Sequence, residues 1–186
     1  MKKILVTGAI GQIGSELTGV LRKRYGSSNV IATDIRSDPT NPAESNGPFN
    51  ILDCRNGSAL LDIVRSENIG SIFHLAAILS ASGEKNPENA WQINMGGLHE
   101  VLETARITSC SVFVPSSIAV FGPNTPCPTG GTPQDTIMRP TTMYGVTKVA
   151  GELLCDYYHR KYGLDTRGVR FPGIISYVSL PGGGTT

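Results

Sequence analysis

The chain has 186 residues, 39% of them hydrophobic, with sixteen Lys and Arg against fifteen Asp and Glu for a formal charge of +1. That length supports one domain with a real core, and the scattered basic residues exclude the electrostatic footprint of a nucleic-acid binder. Glycines interrupt the apolar run after Lys2 and Lys3, so no secretory signal is expected, and no membrane-spanning run follows.

Ile4, Leu5 and Val6 form a short apolar run suited to a strand buried on both faces. Gly8, Gly11 and Gly14 then open a helical pattern over 11–25, with Ile13, Leu17, Val20 and Leu21 expected on the face that covers the sheet. Glycines suit a nucleotide-binding turn because the backbone must bend sharply and approach a pyrophosphate. Gln12 and Ile13, in the first helical turn, belong to the segment whose amides meet the anion. Val30 to Thr33 is a second strand, and Asp34 ends it twenty positions after Gly14. A carboxylate at that tip accepts ribose hydroxyls and repels a 2′-phosphate, so the expected cofactor is NAD rather than NADP; Arg36 is the nearby residue able to accommodate the phosphate.

Arg36 to Pro48 reads as a loop, Phe49 to Leu52 as a third strand, and Asp53 as a candidate cap for a helix starting near Ser58. Leu60, Ile63 and Val64 give that helix its apolar stripe. Ile72 to Ala77 follows as a fourth strand, where Ala76 and Ala77, after Leu75, leave room for a cofactor against the backbone. His74 reads as a packed core histidine. Asn86-Pro87 starts a long helix carrying Ala90, Ile93, Gly97, Val101 and Ala105. Asn94 lies on it, either as a buried polar group with a partner facing the active site or as a plain surface residue.

Ser111 to Pro115 is a fifth strand that runs into Ser116 and Ser117, at the sheet edge where open parallel sheets bind ligands. Ser117 is the preferred catalytic hydroxyl and Ser116 the alternative. Residues 123–140 read as a loop. A helix from about Thr141 to Tyr162 then places Tyr144 and Lys148 four apart on one face. A nearby ammonium favours the phenolate, and lowering the tyrosine pKa by 2–3 units asks about 3–4 kcal/mol of the lysine and its surroundings. Thr166 to Phe171 is a sixth strand. Cys54, Cys110, Cys127 and Cys155 are too widely spaced for a metal or redox pair, and His74, His99 and His159 share no ligand spacing. Reduced thiols, a cytoplasmic protein and no metal are expected.

Together these elements predict a Rossmann-type α/β fold over 1–173, a doubly wound parallel sheet in the order 3-2-1-4-5-6, with 174–186 beginning a further segment. The Gly-x-x-Gly-x-x-Gly turn, His74-Leu75-Ala76-Ala77 and Tyr144-x-x-x-Lys148 resemble the extended branch of the short-chain dehydrogenases/reductases. Within it, four segments are similar to the L-threonine 3-dehydrogenase family: residues 7–14, 79–87, 138–148 and 180–186. The resemblance implies oxidation of the L-threonine 3-hydroxyl to 2-amino-3-oxobutyrate, with Tyr144 as base, Lys148 holding the ribose and Ser117 orienting the oxygen. It also implies Asp53 near the adenine, Asn94 bracing the lysine through water, Pro172 beside the nicotinamide, and Ser80, Thr185 and Thr186 at the amino-acid substrate. The family continues into a small C-terminal substrate lobe, which these 186 residues are expected to stop short of, either as a fragment or because the reading frame continues. A chain cut before it is expected to expose apolar surface and self-associate. A nucleotide-sugar epimerase and a non-catalytic NAD binder are the rival readings; a homodimer is left open.

Overall fold

The computed structural model describes residues 2–174; Thr185 and Thr186 lie outside them. β1 (Lys3–Thr7), β2 (Val30–Asp34), β3 (Phe49–Ile51), β4 (Ile69–His74), β5 (Ser111–Phe113) and a later short strand, Thr166–Arg167, form one sheet in which every neighbour is parallel. The spatial order is β3, β2, β1, β4, β5 and then that last strand, the order expected from the sequence. The chain therefore winds outward from β1 in one direction, crosses over, and winds outward in the other. Ligands of open parallel sheets bind beyond the carboxyl ends of the strands at such a reversal.

Strand alternation sends successive side chains to opposite faces. Leu5 and Ile31 enter the larger core, with Leu60 and Val64 of α3 (Gly57–Ser66) and Val101 and Leu102 of α6 (Gly97–Thr108). Val6, Val30 and Ala32 face the other way, toward Leu21 of α1 (Gln12–Tyr25) and Ala43 of α2 (Pro42–Ser45). Both faces are covered, as apolar runs in a parallel sheet require.

Three expectations are corrected here. Val20 of α1 is 62% exposed, and the buried face instead carries Gly14, Ser15, Thr18, Leu21 and Arg22. Arg22, only 6% exposed, donates to the carbonyls of Ala43 (2.8 Å) and Pro48 (2.7 Å), so it fastens the segment after β2 to α1. That segment is no plain loop: Asn41 caps the one-turn helix α2, with proline at its first position. The expected strands 111–115 and 166–171 each divide. Val114 and Ser116 donate to Arg167 and Val169, and β6 (Ser116–Ser117) pairs with β8 (Arg170–Phe171), leaving Thr166–Arg167 as β7. Pro115 has no amide to donate, and a Cβ at Gly168 would lie 2.5 Å from the Val114 carbonyl, so the ladder breaks there.

The helix expected from Asn86 is interrupted as well. α4 (Ser80–Lys85), which the sequence reading missed, precedes α5 (Pro87–Trp91), and a π-helical turn over Gln92–Gly96 leads into α6. The last helix, α7 (Met143–Tyr162), begins at Thr142, whose hydroxyl accepts from the Gly145 amide at 3.0 Å. Among the described residues no helix is long and apolar enough to cross a membrane.

Candidate active site

The glycine turn sits at the carboxyl end of β1. Gly8 has φ +69°, and a Cβ there would meet the Ala76 nitrogen at 2.6 Å. A Cβ at Gly14 would lie 2.2 Å from the Gly8 carbonyl oxygen, while at Gly11 the same atom is 3.2 Å away. The turn thus presses directly on the end of β4, and only hydrogen fits at positions 8 and 14. α1 begins at Gly11 with no side-chain cap and no acidic residue in its first turn, so the amides that include Gln12 and Ile13 are left for an external anion. Asp34 stands across from them. Its Oδ2 accepts from the Ile10 amide at 3.1 Å and its Oδ1 from Ile35 at 2.9 Å, which turns the carboxylate toward the glycine turn. Gln12 Nε2 reaches the Ile174 carbonyl at 3.3 Å, which brings the segment holding Pro172 back to this turn. A close backbone cradle, an uncapped helix amino end and an acid at the next strand tip together fit a dinucleotide with an unmodified adenosine ribose.

Tyr144 and Lys148 lie in the first two turns of α7, with Lys148 Nζ 5.4 Å from the Tyr144 ring centre. Gly145 permits this placement, because a Cβ there would fall 2.3 Å from the Ala119 carbonyl. The helix start is thereby pressed against the Ile118–Val120 turn that Ser117 caps, its Oγ accepting from the Ala119 amide at 3.1 Å. Ser117 also lies beside the Tyr144 phenol, close enough to ease its ionisation slightly. Ser116 is engaged elsewhere: its hydroxyl donates to Glu152, which Arg170 clamps with bonds of 2.9 and 2.7 Å.

The electrostatics correct the expectation that Lys148 depresses the tyrosine. Tyr144 is 8% exposed, and burial pushes its phenol above the ordinary value while the neighbouring Ser117 hydroxyl only partly offsets this. Lys148 is itself desolvated, which brings it down to about 8, and its Nζ donates to the Pro115 carbonyl at 2.7 Å. Burial pushes Glu152 up, but Arg170 and Ser116 hold its carboxyl below the usual range.

Other expected residues are placed as follows. Asn94, on the π-helical turn, is buried; its amide grips the Ile78 backbone at 2.7 and 3.1 Å and donates to Thr147 Oγ1 at 3.0 Å, with no direct bond to Lys148. Asp53 does not cap α3, a task Asn56 performs toward Ala59 at 3.1 Å; it is held by Arg55 at 2.6 Å. His74 is fully buried and accepts or donates a 2.8 Å bond with Thr7; burial drives it down to about 3. Leu75, Ala76 and Ala77 follow β4 against the glycine turn, and Ser80 opens α4. Pro172 is exposed. A cavity of about 750 Å³ runs from Ala76 and Ala77 past Asn94 and Lys148 to Glu152 and Arg170, but neither the glycine turn nor Tyr144 nor Ser117 lines it. Among the described residues no group of His, Cys, Asp and Glu gathers to hold a metal. Glu152 went unnoticed in the sequence, although it follows Lys148 by four residues on the face that begins with Tyr144.

This combination of a doubly wound sheet, a glycine cradle and a Tyr-Lys helix defines a Rossmann-type α/β domain of the dinucleotide-binding class. The chain belongs to the NAD-dependent epimerase/dehydratase family, whose model matches residues 4–181. An uncharacterized epimerase/dehydratase of Staphylococcus haemolyticus is 55% identical over all 186 residues, which span 58% of its length. The structure of an L-threonine dehydrogenase from Clostridium difficile is 57% identical, with a TM-score of 0.95 over 99% of this chain and 57% of that one. An L-threonine 3-dehydrogenase from Trypanosoma brucei is 42% identical with a TM-score of 0.94, over 99% of this chain and 57% of its own. A UDP-glucose 4-epimerase from Brucella ovis, 24% identical with a TM-score of 0.80 over 93% of this chain and 52% of its own, shares the fold.

Proposed function

We propose that this chain is the NAD-binding part of an L-threonine 3-dehydrogenase, which oxidises the threonine 3-hydroxyl to give 2-amino-3-oxobutyrate. The observation that carries the reading is the 57% identity to a structurally matched L-threonine dehydrogenase across 99% of the chain. Gly8, Gly11, Gln12, Ile13 and Gly14 would hold the pyrophosphate, Asp34 the adenosine ribose, and Leu75, Ala76, Ala77 and Pro172 the nicotinamide half. NAD+, when bound, supplies the acceptor for the hydride from C3.

The chain's own residues handle the proton. Tyr144 would receive it as the phenolate, having first given up its own proton to solvent, while Ser117, beside the phenol, would orient the 3-hydroxyl oxygen. Lys148, at about 8, keeps its ammonium at neutral pH beside the ring and can favour the phenolate by charge once a ligand releases it from Pro115. Asn94 fixes the Ile78 backbone and, through it, the approach to Ser80, which together with Thr185 and Thr186 would meet the amino acid. A cytoplasmic setting accords with the unpaired cysteines.

The test is formation of NADH by this chain, extended by the further length its relatives have, offered L-threonine or a UDP-hexose. NADH with threonine alone supports the reading. Interconversion of the UDP-hexose without threonine oxidation replaces it with the epimerase reading, and nucleotide binding with neither activity leaves a non-catalytic binder.

A further inference from the structure

The segment after β2 carries a carboxylate whose position the cofactor reading does not use. Glu44, on α2, accepts the Ser37 hydroxyl at 2.6 Å through Oε1 and the Asp38 amide at 2.6 Å through Oε2. Ser37 and Asp38 follow Asp34, the strand-tip acid assigned to the ribose, by three and four residues. A nucleotide carrying a 2′-phosphate needs donors and positive charge just beyond such a tip. Here the hydroxyl and the amide that could serve are already occupied by an anion. Arg36 is the one cation between Asp34 and Pro48, and its charge is shared with Asp38, whose carboxyl Thr40 and then Arg36 hold below its ordinary range.

Glu44 does not hold this position by chance of an exposed loop. Asn41 caps α2 and donates to Ser15 Oγ at 2.9 Å, and Arg22 binds the Ala43 carbonyl at 2.8 Å, so α2 is fixed to α1 by two contacts in the residues just before Glu44. Ala43 itself is 1% exposed.

We propose that Glu44 is a second determinant of nucleotide choice, acting with Asp34: its carboxylate occupies the Ser37 and Asp38 donors and puts a like charge where a 2′-phosphate would have to sit. The inference rests on the NAD-binding reading and adds to it a residue outside the glycine turn and the strand tip. Removing Asp34 alone then leaves the chain still poor at accepting NADP.

Calorimetric titration of the chain with 5′-AMP and 2′,5′-ADP, which differ only in the 2′-phosphate, tests this without any turnover. The Asp34→Ser variant serves as background, compared with Asp34→Ser/Glu44→Gln and Asp34→Ser/Glu44→Ala. Glu44→Gln keeps the shape and an acceptor while deleting the charge; Glu44→Ala frees both donors. Each is expected to tighten 2′,5′-ADP by about tenfold, the scale of one charge-assisted contact, while 5′-AMP changes by less than about twofold. Intact binding of 5′-AMP also reports that α2 and the glycine turn stay folded in each variant. If 5′-AMP binds throughout and 2′,5′-ADP stays within about twofold of the background in both variants, the role of Glu44 is overturned and the cofactor reading stands. If the unsubstituted chain binds neither 5′-AMP nor NAD+, the cofactor reading fails and takes this inference with it.

Discussion

Replacing Lys148 with methionine should change the pH dependence of folding stability in a way that only a buried ammonium produces. A lysine brought from 10.5 to about 8 by desolvation carries about 3 kcal/mol against its charged form in the folded chain. Below pH 8 both folded and unfolded states hold the proton, and the full cost opposes folding. Between pH 8 and 10.5 the folded state releases its proton first, so the cost fades as pH rises. The stability of the Lys148 chain minus that of the Lys148→Met chain should therefore rise by about 3 kcal/mol across this window. Cys54, raised to about 11, and Tyr144, also raised, both lower stability at alkaline pH, but the two chains share them and the difference removes them. Cys155 also feels the Lys148 charge, so alanine replaces it in both chains. Urea unfolding followed by circular dichroism at steps from pH 7 to 10.5 reads the difference. A gap that stays flat within about 1 kcal/mol would refute a desolvated Lys148 and the site geometry built on it.

Gly14→Ala should cost about 3 kcal/mol or more in urea and abolish nucleotide binding, because the new Cβ lies 2.2 Å from the Gly8 carbonyl; unchanged binding would contradict the cradle. Arg22→Met should lower stability by about 3 kcal/mol, since the carbonyls of Ala43 and Pro48 lose a buried charged donor, and hydrogen exchange should quicken through 36–48; an effect below about 0.5 kcal/mol would deny it that anchoring role. His74, held near 3 by burial, should show no imidazole titration by NMR between pH 5 and 8. Its folded pKa is depressed, so the stability tied to its neutral form is complete above about 6.5 and is lost as pH falls toward 3; a His74→Gln chain should lack that loss.

The order of the sheet was legible because short apolar runs alternating with helical stripes leave few ways to wind a parallel sheet. Gly8 and Gly14, Asp34, Tyr144 and Lys148 were legible for a related reason: each answers a local spacing rule. What stayed hidden depends on contacts far apart in the chain. Nothing near Arg22 says that its guanidinium will reach the carbonyls of Ala43 and Pro48 while Val20 turns to solvent. The break in the last strands needs Pro115 and Gly168 to be seen as neighbours. Tyr144 was expected to be lowered by its lysine, because spacing gives the distance between two groups but not the desolvation that acts on both. One local signal was passed over: Asn41-Pro42 is a helix start as clear as Asn86-Pro87.

The central claim is that Tyr144 takes the proton from the threonine 3-hydroxyl as the hydride leaves C3. L-threonine deuterated at C3, given with NAD+ to the chain extended to the length of its relatives, tests it most directly by mass spectrometry of the nucleotide product. The account predicts singly deuterated NADH from the Tyr144 chain and essentially none from Tyr144→Phe, whose ring is kept and whose proton acceptor is gone. Unlabelled NADH, or deuterated NADH formed equally well by Tyr144→Phe, would contradict it.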